Sequence, residues 1–229
     1  MILQEKLDFL RDKYSVATTA TLKDRRTAVI GGVTVPLLAH RAERRFLELR
    51  NIVQGGTLKG ISVMRVARIV ENGTDIFDEL YRELDLCQYV LGKQLVGVTA
   101  MQNDNTLNVI ATAEDGIVCT FEIAATLPNG EIAKDKHEII SERGIACDIL
   151  VDAQLKQDSV YLFGEQAERF TDVDFELYGL SIDDVAVVRS AFSIAQKQTQ
   201  NEILAVDKAL CALVEKVKRS VATGERQVI

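Results

Sequence analysis

Asp75, Asp78, Arg82 and Asp85 stand at spacings of three, four and three. Those intervals put side chains on one stripe of an α-helix. Carboxylates flanking a guanidinium suit two kinds of chemistry. They can form the polar floor of a pocket, or they can do acid–base work with the arginine as partner to an oxyanion. The same spacing also gives helix-stabilising ion pairs worth about 0.3–0.5 kcal/mol each, and spacing alone leaves both readings open. A second cluster, His40-Arg41-Ala42-Glu43-Arg44-Arg45, lies where a β-prone run passes into a helical one. It can hold an anionic or hydroxylated ligand, or it can be a solvated, charged helix start.

Other chemistries show no linear motif, although a Ser-His-Asp arrangement needs none and stays open. The histidines, His40 and His137, form no H-E-x-x-H pair, and Cys87, Cys119, Cys147 and Cys211 are too widely spaced for a compact zinc site, so no metal is expected. No G-x-S-x-G and no P-loop spacing is present. A dinucleotide site needs a strand, G-x-G-x-x-G and then a helix, because the phosphates approach bare backbone at a helix N-terminus. The near match Ala28-Val29-Ile30-Gly31-Gly32-Val33 lacks the third glycine and runs on into strand-like Thr34-Val35-Pro36. It reads as a turn entering a strand.

The elements that would position these residues follow from periodicity. Residues 1–34 read as a weakly patterned helical segment, with Leu3, Leu7 and Leu10 as its stripe. Val33–Ala39 is a short β-prone run, and His40–Gln54 is helical, ended by Gly55-Gly56. Ile61–Val70 alternates as a strand does. Ile76–Leu91 is the clearest helix, with Phe77, Leu80, Leu84, Cys87 and Leu91 on one face. Thr74 or Asp75 is placed to cap its start and Gly92 to close its end.

From Gln94 to Phe163 the period becomes two. Short runs (Leu95–Ala100, Leu107–Thr112, Ile117–Ile123, Glu138–Ser141, Cys147–Val151, Val160–Phe163) are divided by turn residues at Asn103–Asn105, Asp115-Gly116, Pro128–Gly130 and Arg143-Gly144. Val185–Gln196 and Glu202–Val217 return to helix, with Ser181 as a cap and Gly224 as a stop. The sum is an α+β fold: an open, mostly antiparallel twisted sheet of about six strands with helices on one face. Residues 35–229 are expected to form one compact unit.

The 229 residues carry 34 acids against 27 bases, a net charge of −7, with 47% hydrophobic residues. That balance disfavours nucleic-acid and polybasic membrane binding, which need clustered positive charge. Met1–Lys13 lacks the apolar core of a signal peptide, and no stretch is long and apolar enough to span a bilayer. The expected setting is a reducing cytoplasm with free, buried cysteines.

Several segments, taken in order, resemble the Gfo/Idh/MocA oxidoreductases. Glu71–Gly92 (ENGTDIFDELYRELDLCQYVLG) resembles that family's G-G-x-x-x-D-x-G-x-H-x-x-D-x-x-x-x-L-x-G. His40–Phe46 resembles its R-R-F helix, and Gly56–Gly60 its turn into the sheet. Asn108–Gly116 resembles its sheet hairpin, Glu138–Gly144 its I-x-G-x-x-G strand, and Ser220–Gly224 its S-x-x-T-G tail. The resemblance covers roughly residues 35–229 and corresponds to the C-terminal, substrate-holding and oligomerising α/β domain. It implies that the N-terminal Rossmann domain for NAD(P) is not within this chain.

The resemblance also aligns Arg82 with the family's catalytic histidine, and Asp78 and Asp85 with its flanking aspartates. The lysine of the family's E-K-P falls near Asp12-Lys13-Tyr14, where only Lys13 is retained and Glu5-Lys6 is a rival. Arginine stays protonated near neutral pH, so it cannot replace a proton-accepting histidine.

Three functions follow as expectations. The first is a relative without dehydrogenase activity of its own and without a cofactor in this chain. It would assemble as a homodimer or homotetramer through its exposed sheet face and bind a sugar-like or anionic molecule near His40, Arg41, Arg45, Asp75, Asp78, Arg82 and Asp85. The second is the substrate half of a split NAD(P)-dependent sugar or polyol oxidoreductase, its Rossmann part supplied by another protein. The third is a cofactor-free lyase or isomerase using Asp78 and Asp85, with Arg82 as oxyanion partner.

Overall fold

A computed structural model describes residues 2–142, 144–148, 159–163, 167–171 and 174–229. They divide into two compact units: Met1–Glu43 with Ile149–Ile203, and Arg44–Asp148 with Leu204–Ile229. Residues 35–229, expected as one unit, are distributed over both.

In the first unit, α1 (Ile2–Lys13) buries Leu7 and Leu10. The helical segment expected over residues 1–34 stops there. It gives way to an antiparallel meander of β1 (Ala20–Leu22), β2 (Thr27–Ile30) and β3 (Val33–Pro36). β-branched Thr27, Val29, Ile30, Val33 and Val35 favour pleated backbone, and Ala28, Ile30 and Val35 are fully buried. Gly31 and Gly32, at φ of 59° and 83°, make the two-residue turn that joins Ile30 to its partner Val33. Both positions of such a turn need positive φ. The near match to a dinucleotide loop is therefore a β-hairpin. His40 and Arg41 lie in a short 3-10 turn, Ala39–Ala42. The unit also holds a hairpin of Ser159–Phe163 with Ala167–Thr171, and α4 (Ile182–Lys197), capped by Ser181 Oγ accepting from the Asp184 amide at 3.2 Å.

The second unit opens with α2 (Arg44–Gln54), four residues later than expected because the 3-10 turn takes up the preceding residues. β4 (Ile61–Glu71) leads into α3 (Ile76–Leu91), whose ends match the sequence reading. The Asp75 carboxylate accepts from the Phe77 amide at 2.8 Å, and Gly92 closes the helix in left-handed conformation. A meander follows: β5 (Leu95–Asn103), β6 (Thr106–Ala113) and β7 (Val118–Leu127). The hairpin β8 (Lys134–Ser141) with β9 (Gly144–Cys147) comes next. Residues 149–151 of the run read as a strand over Cys147–Val151, and Arg143 of the Arg143-Gly144 turn, lie outside the described residues. α5 (Gln200–Thr223), which belongs to this unit from Leu204 on, ends at Gly224, whose amide donates to Ser220 O. The chain closes on a two-residue strand, Gln227–Val228.

The sheet has seven strands in the order Gln227–Val228, β5, β6, β7, β4, β8, β9. It is mixed. α3 carries the chain over the sheet after β4, and the meander returns β7 parallel to β4, with Met64 opposite Cys119 and Val66 opposite Phe121. A crossover helix is what allows a parallel pairing. The other pairings are antiparallel. One sheet face supplies Met64, Val66, Val98, Val109, Phe121 and Ile139 to a core completed by Phe46 and Leu49 of α2, Leu80, Leu84 and Cys87 of α3, and Leu210, Leu213 and Val217 of α5. Alternate residues point the other way, and of these Met101 and Ile110 are 72% and 57% exposed. Among the described residues no helix is long and apolar enough to cross a membrane. The cysteines are free. Cys87 and Cys119 are buried, whereas Cys211, expected inside, is exposed.

Candidate functional site

The densest chemistry lies in the second unit, at one edge of the core, and is built from α2, α3, β4, β8 and the residue just beyond β9. His137 of β8 is fully buried. Strand alternation puts it on the same face as Ile139, toward the core. Its Nε2 is 2.7 Å from Glu83 Oε2 and its Nδ1 is 2.7 Å from Asp148 Oδ2. Glu83 is buried as well, because it sits on the apolar side of α3 between Leu80 and Cys87.

Three arginines complete the cluster. Arg45 grips Asp135 with both terminal nitrogens, at 2.6 and 2.9 Å, and reaches Asp148 at 3.0 Å. Arg68 of β4 donates to Glu79 and, at 3.0 Å, to Asp135. Arg82 donates to Glu83 and approaches Asp135 at 3.5 Å. Phe46 is the apolar wall: the His137 ring meets it edge-on at 4.7 Å, and the guanidinium carbons of Arg45 and Arg82 lie 4.4 and 5.4 Å from its centroid.

The charges explain why so many ions tolerate burial. Glu79, Glu83, Asp135 and Asp148 are negative; Arg45, Arg68 and Arg82 are positive. A protonated His137 balances the set. Burial alone would lower the His137 pKa, but Glu83 and Asp148 outweigh it and raise the value to about 9. Burial alone would raise that of Glu83, yet Arg82, His137 and Arg68 hold it down to about 2. Asp135 is likewise driven below the usual carboxylate range: burial opposes this, and the Arg45 hydrogen bonds and charge prevail. Groups held this firmly in their charged forms are poor proton carriers near neutral pH.

Asp135, His137 and Asp148 bring potential ligand atoms within 4.8 Å of one another. The guanidinium of Arg45 already bridges the two carboxylates, and both ring nitrogens of His137 are engaged. The set therefore does not fit a metal ion: a cationic side chain already spans its two carboxylates.

The residues singled out from the sequence are dispersed. Arg45 and Arg82 enter the cluster. Asp85 is fully buried on α3, while Asp75 and Asp78 are exposed near its start, Asp75 as the cap. His40, Arg41 and Lys13 belong to the other unit. Lys13 pairs there with Glu176 at 2.6 Å. Sequence reasoning passed over Glu83, Asp135, His137 and Asp148. Two signals were available: a glutamate on the apolar face of α3, and the shared parity of Asp135, His137 and Ile139 on β8.

No protein-family model and no curated protein matches the sequence. Solved structures do match its fold. A myo-inositol dehydrogenase from Corynebacterium glutamicum superposes with a TM-score of 0.60 at 14% identity, covering 84% of this chain and 63% of its own. The myo-inositol 2-dehydrogenase from Lactobacillus plantarum gives 0.59 at 15% identity, with the same coverages. A scyllo-inositol dehydrogenase from Lactobacillus casei, solved with NAD(H) and scyllo-inositol, gives 0.56 at 14%, covering 83% of this chain and 63% of its own. This chain thus spans less than two thirds of the length of the structures it matches. It shares the fold of Gfo/Idh/MocA-type inositol dehydrogenases over that portion.

Proposed function

We propose that a chain with this portion of the Gfo/Idh/MocA fold serves assembly and ligand holding, and does not by itself catalyse NAD(P)-dependent oxidation. The observation that carries the reading is the state of Arg82. The resemblance of Glu71–Gly92 aligns this residue with the family's proton-accepting histidine. Here it is a permanent cation fixed to Glu83 and Asp135 and stacked near Phe46. A guanidinium so held neither accepts a proton nor has reason to leave its partners.

Assembly as a homodimer or homotetramer is supported by the sheet face that carries Met101, Ile110 and Val118, apolar side chains left exposed on neighbouring strands. A ligand of sugar-like or anionic character is suggested by the inositol dehydrogenases with this fold. The exposed carboxylates Asp75 and Asp78 at the head of α3 offer acceptors for hydroxyl groups.

Calorimetric titration of the purified chain with NAD(H), NADP(H) and myo-inositol tests this, run beside light scattering. The expected result is no micromolar cofactor binding and a mass at least twice that of one chain. Micromolar binding of either cofactor, or a clean monomer, overturns the respective half. Co-purification of a Rossmann-type protein that restores polyol oxidation would replace this reading with a split oxidoreductase.

A further inference from the structure

We infer that His137 is an imidazolium at neutral pH and works as a proton-dependent clamp, tying the two ends of the segment Arg44–Asp148 to helix α3. The inference stands on geometry and is independent of the function proposed above. Each ring nitrogen faces a carboxylate oxygen at 2.7 Å. An ionised carboxylate only accepts, so both nitrogens must donate, and only the imidazolium has two N–H groups. A neutral ring would set one lone pair against a carboxylate inside the core, which is costly where water cannot intervene.

The charged groups around the ring come from every element packed on it. Glu83, Glu79 and Arg82 come from α3, Arg45 from α2, Arg68 from β4, Asp135 from β8 itself, and Asp148 from beyond β9. The arginines keep their charge at any pH of interest, so the histidine is the proton whose loss unbalances the set.

The placement gives that proton a consequence. The segment enters its unit at Arg44 and leaves it at Asp148. Asp148 is held three ways: by His137 Nδ1, by the His137 amide at 2.7 Å and by Arg45 at 3.0 Å. Its own amide donates back to His137 O at 3.2 Å. Through Glu83 the same imidazole reaches α3. Removing the ring proton leaves Asp148 or Glu83 with an unanswered charge, and the tie between Arg45, Asp148 and α3 loosens.

The sign is fixed by the direction of the shift. The folded His137 pKa lies above its unfolded value, so the clamp's stabilisation is complete below pH of about 6.5 and declines as pH rises toward about 9. Within that window a single proton changes the unfolding constant by up to about tenfold per pH unit.

The test reads the ring directly. In long-range proton–nitrogen spectra of the wild-type chain at pH 7.5, both His137 nitrogens should resonate as protonated, turning neutral only well above the midpoint of free histidine. Denaturation midpoints should fall between pH 6.5 and 9 in the wild type and stay flatter in His137→Gln. One unprotonated His137 nitrogen at pH 7.5 overturns the inference, as does an equal alkaline loss in the variant. Zinc-induced displacement of the ring signals would also overturn it, since the ring would then be free to coordinate. If His137→Gln does not fold, the wild-type spectra alone decide.

Discussion

The two units each contain a multi-residue ion network, and the two networks differ in what surrounds them. In the first unit Glu176 accepts from Lys13 at 2.6 Å, from Tyr14 at 2.5 Å and from Arg189 at 2.6 Å, while Arg189 also grips Asp174 with two nitrogens at 2.9 Å. The Lys13 side chain is 46% exposed and that of Arg189 30%. In the second unit the side chains of His137, Glu83 and Asp148 are fully buried. Similar distances therefore carry different energies. Near the surface, water screens the pairs and competes for each partner. In the second network Glu83, His137 and Asp148 have given up their hydration while the arginines around them keep a partly exposed edge, so the loss of a partner of one of these three leaves an unpaired buried charge.

The sharpest way to break this comparison is Glu83→Ala. It removes the acceptor of His137 Nε2 and of Arg82 together, and should cost about 3–5 kcal/mol by urea denaturation, the scale for removing one partner of a buried pair. A cost below about 1 kcal/mol would put the second network on a par with a surface one. Acid comes next. The Glu83 pKa is held near 2, so its contribution is present above the unfolded value of about 4.5 and is lost as pH falls through about 2. Glu176 is also held near 2, chiefly by the Lys13 hydrogen bond, then by Tyr14 and Arg189. Both networks therefore weaken in acid. Circular dichroism followed from pH 6 to pH 2 should show stability falling below pH of about 4.5. Through His137, the second network should also fail in alkali. A protein equally stable at pH 3 and pH 6 would contradict both assignments.

What the sequence revealed follows the reach of its signals. The apolar stripe of α3, its Asp75 cap and its Gly92 stop are local and were legible, as were the β5–β6 and β6–β7 turns at Asp104 and Asp115-Gly116, which take positive φ. The parallel pairing of β4 with β7 was not, because nothing local in Ile61–Glu71 names a partner more than fifty residues on. Of the meander after Lys13, the turn at Gly31-Gly32 and the strand after it were legible, but Ala20–Leu22 and Thr27–Ile30 were missed because they are three or four residues long, too short for alternation to outweigh a nearby helical stripe. For the candidate site, Asp78, Arg82 and Asp85 do lie on α3 as the spacing implied, with Asp75 as the cap just before it. Their surroundings, however, depend on a neighbour distant in sequence: Arg82 pairs with the adjacent Glu83 and also approaches Asp135 of β8. Spacing along one helix cannot show which strand residue lies opposite.

The smallest expected effect is Glu176→Gln. The amide keeps an acceptor for Lys13 and Tyr14 but loses the charge that draws in Lys13 and Arg189. With solvent able to reach Lys13 and Arg189, the cost should stay within about 1 kcal/mol. It should shrink further in 1 M salt, where the Debye length falls to about 3 Å. Glu83→Ala should respond far less to salt, because its ions lie beyond the reach of the ionic atmosphere. Urea midpoints of both variants and the wild type, at low salt and at 1 M, check the pair of expectations. A Glu176→Gln loss as large as that of Glu83→Ala and insensitive to salt would mean that the first network is also dry. Burial would then not be what separates the two units.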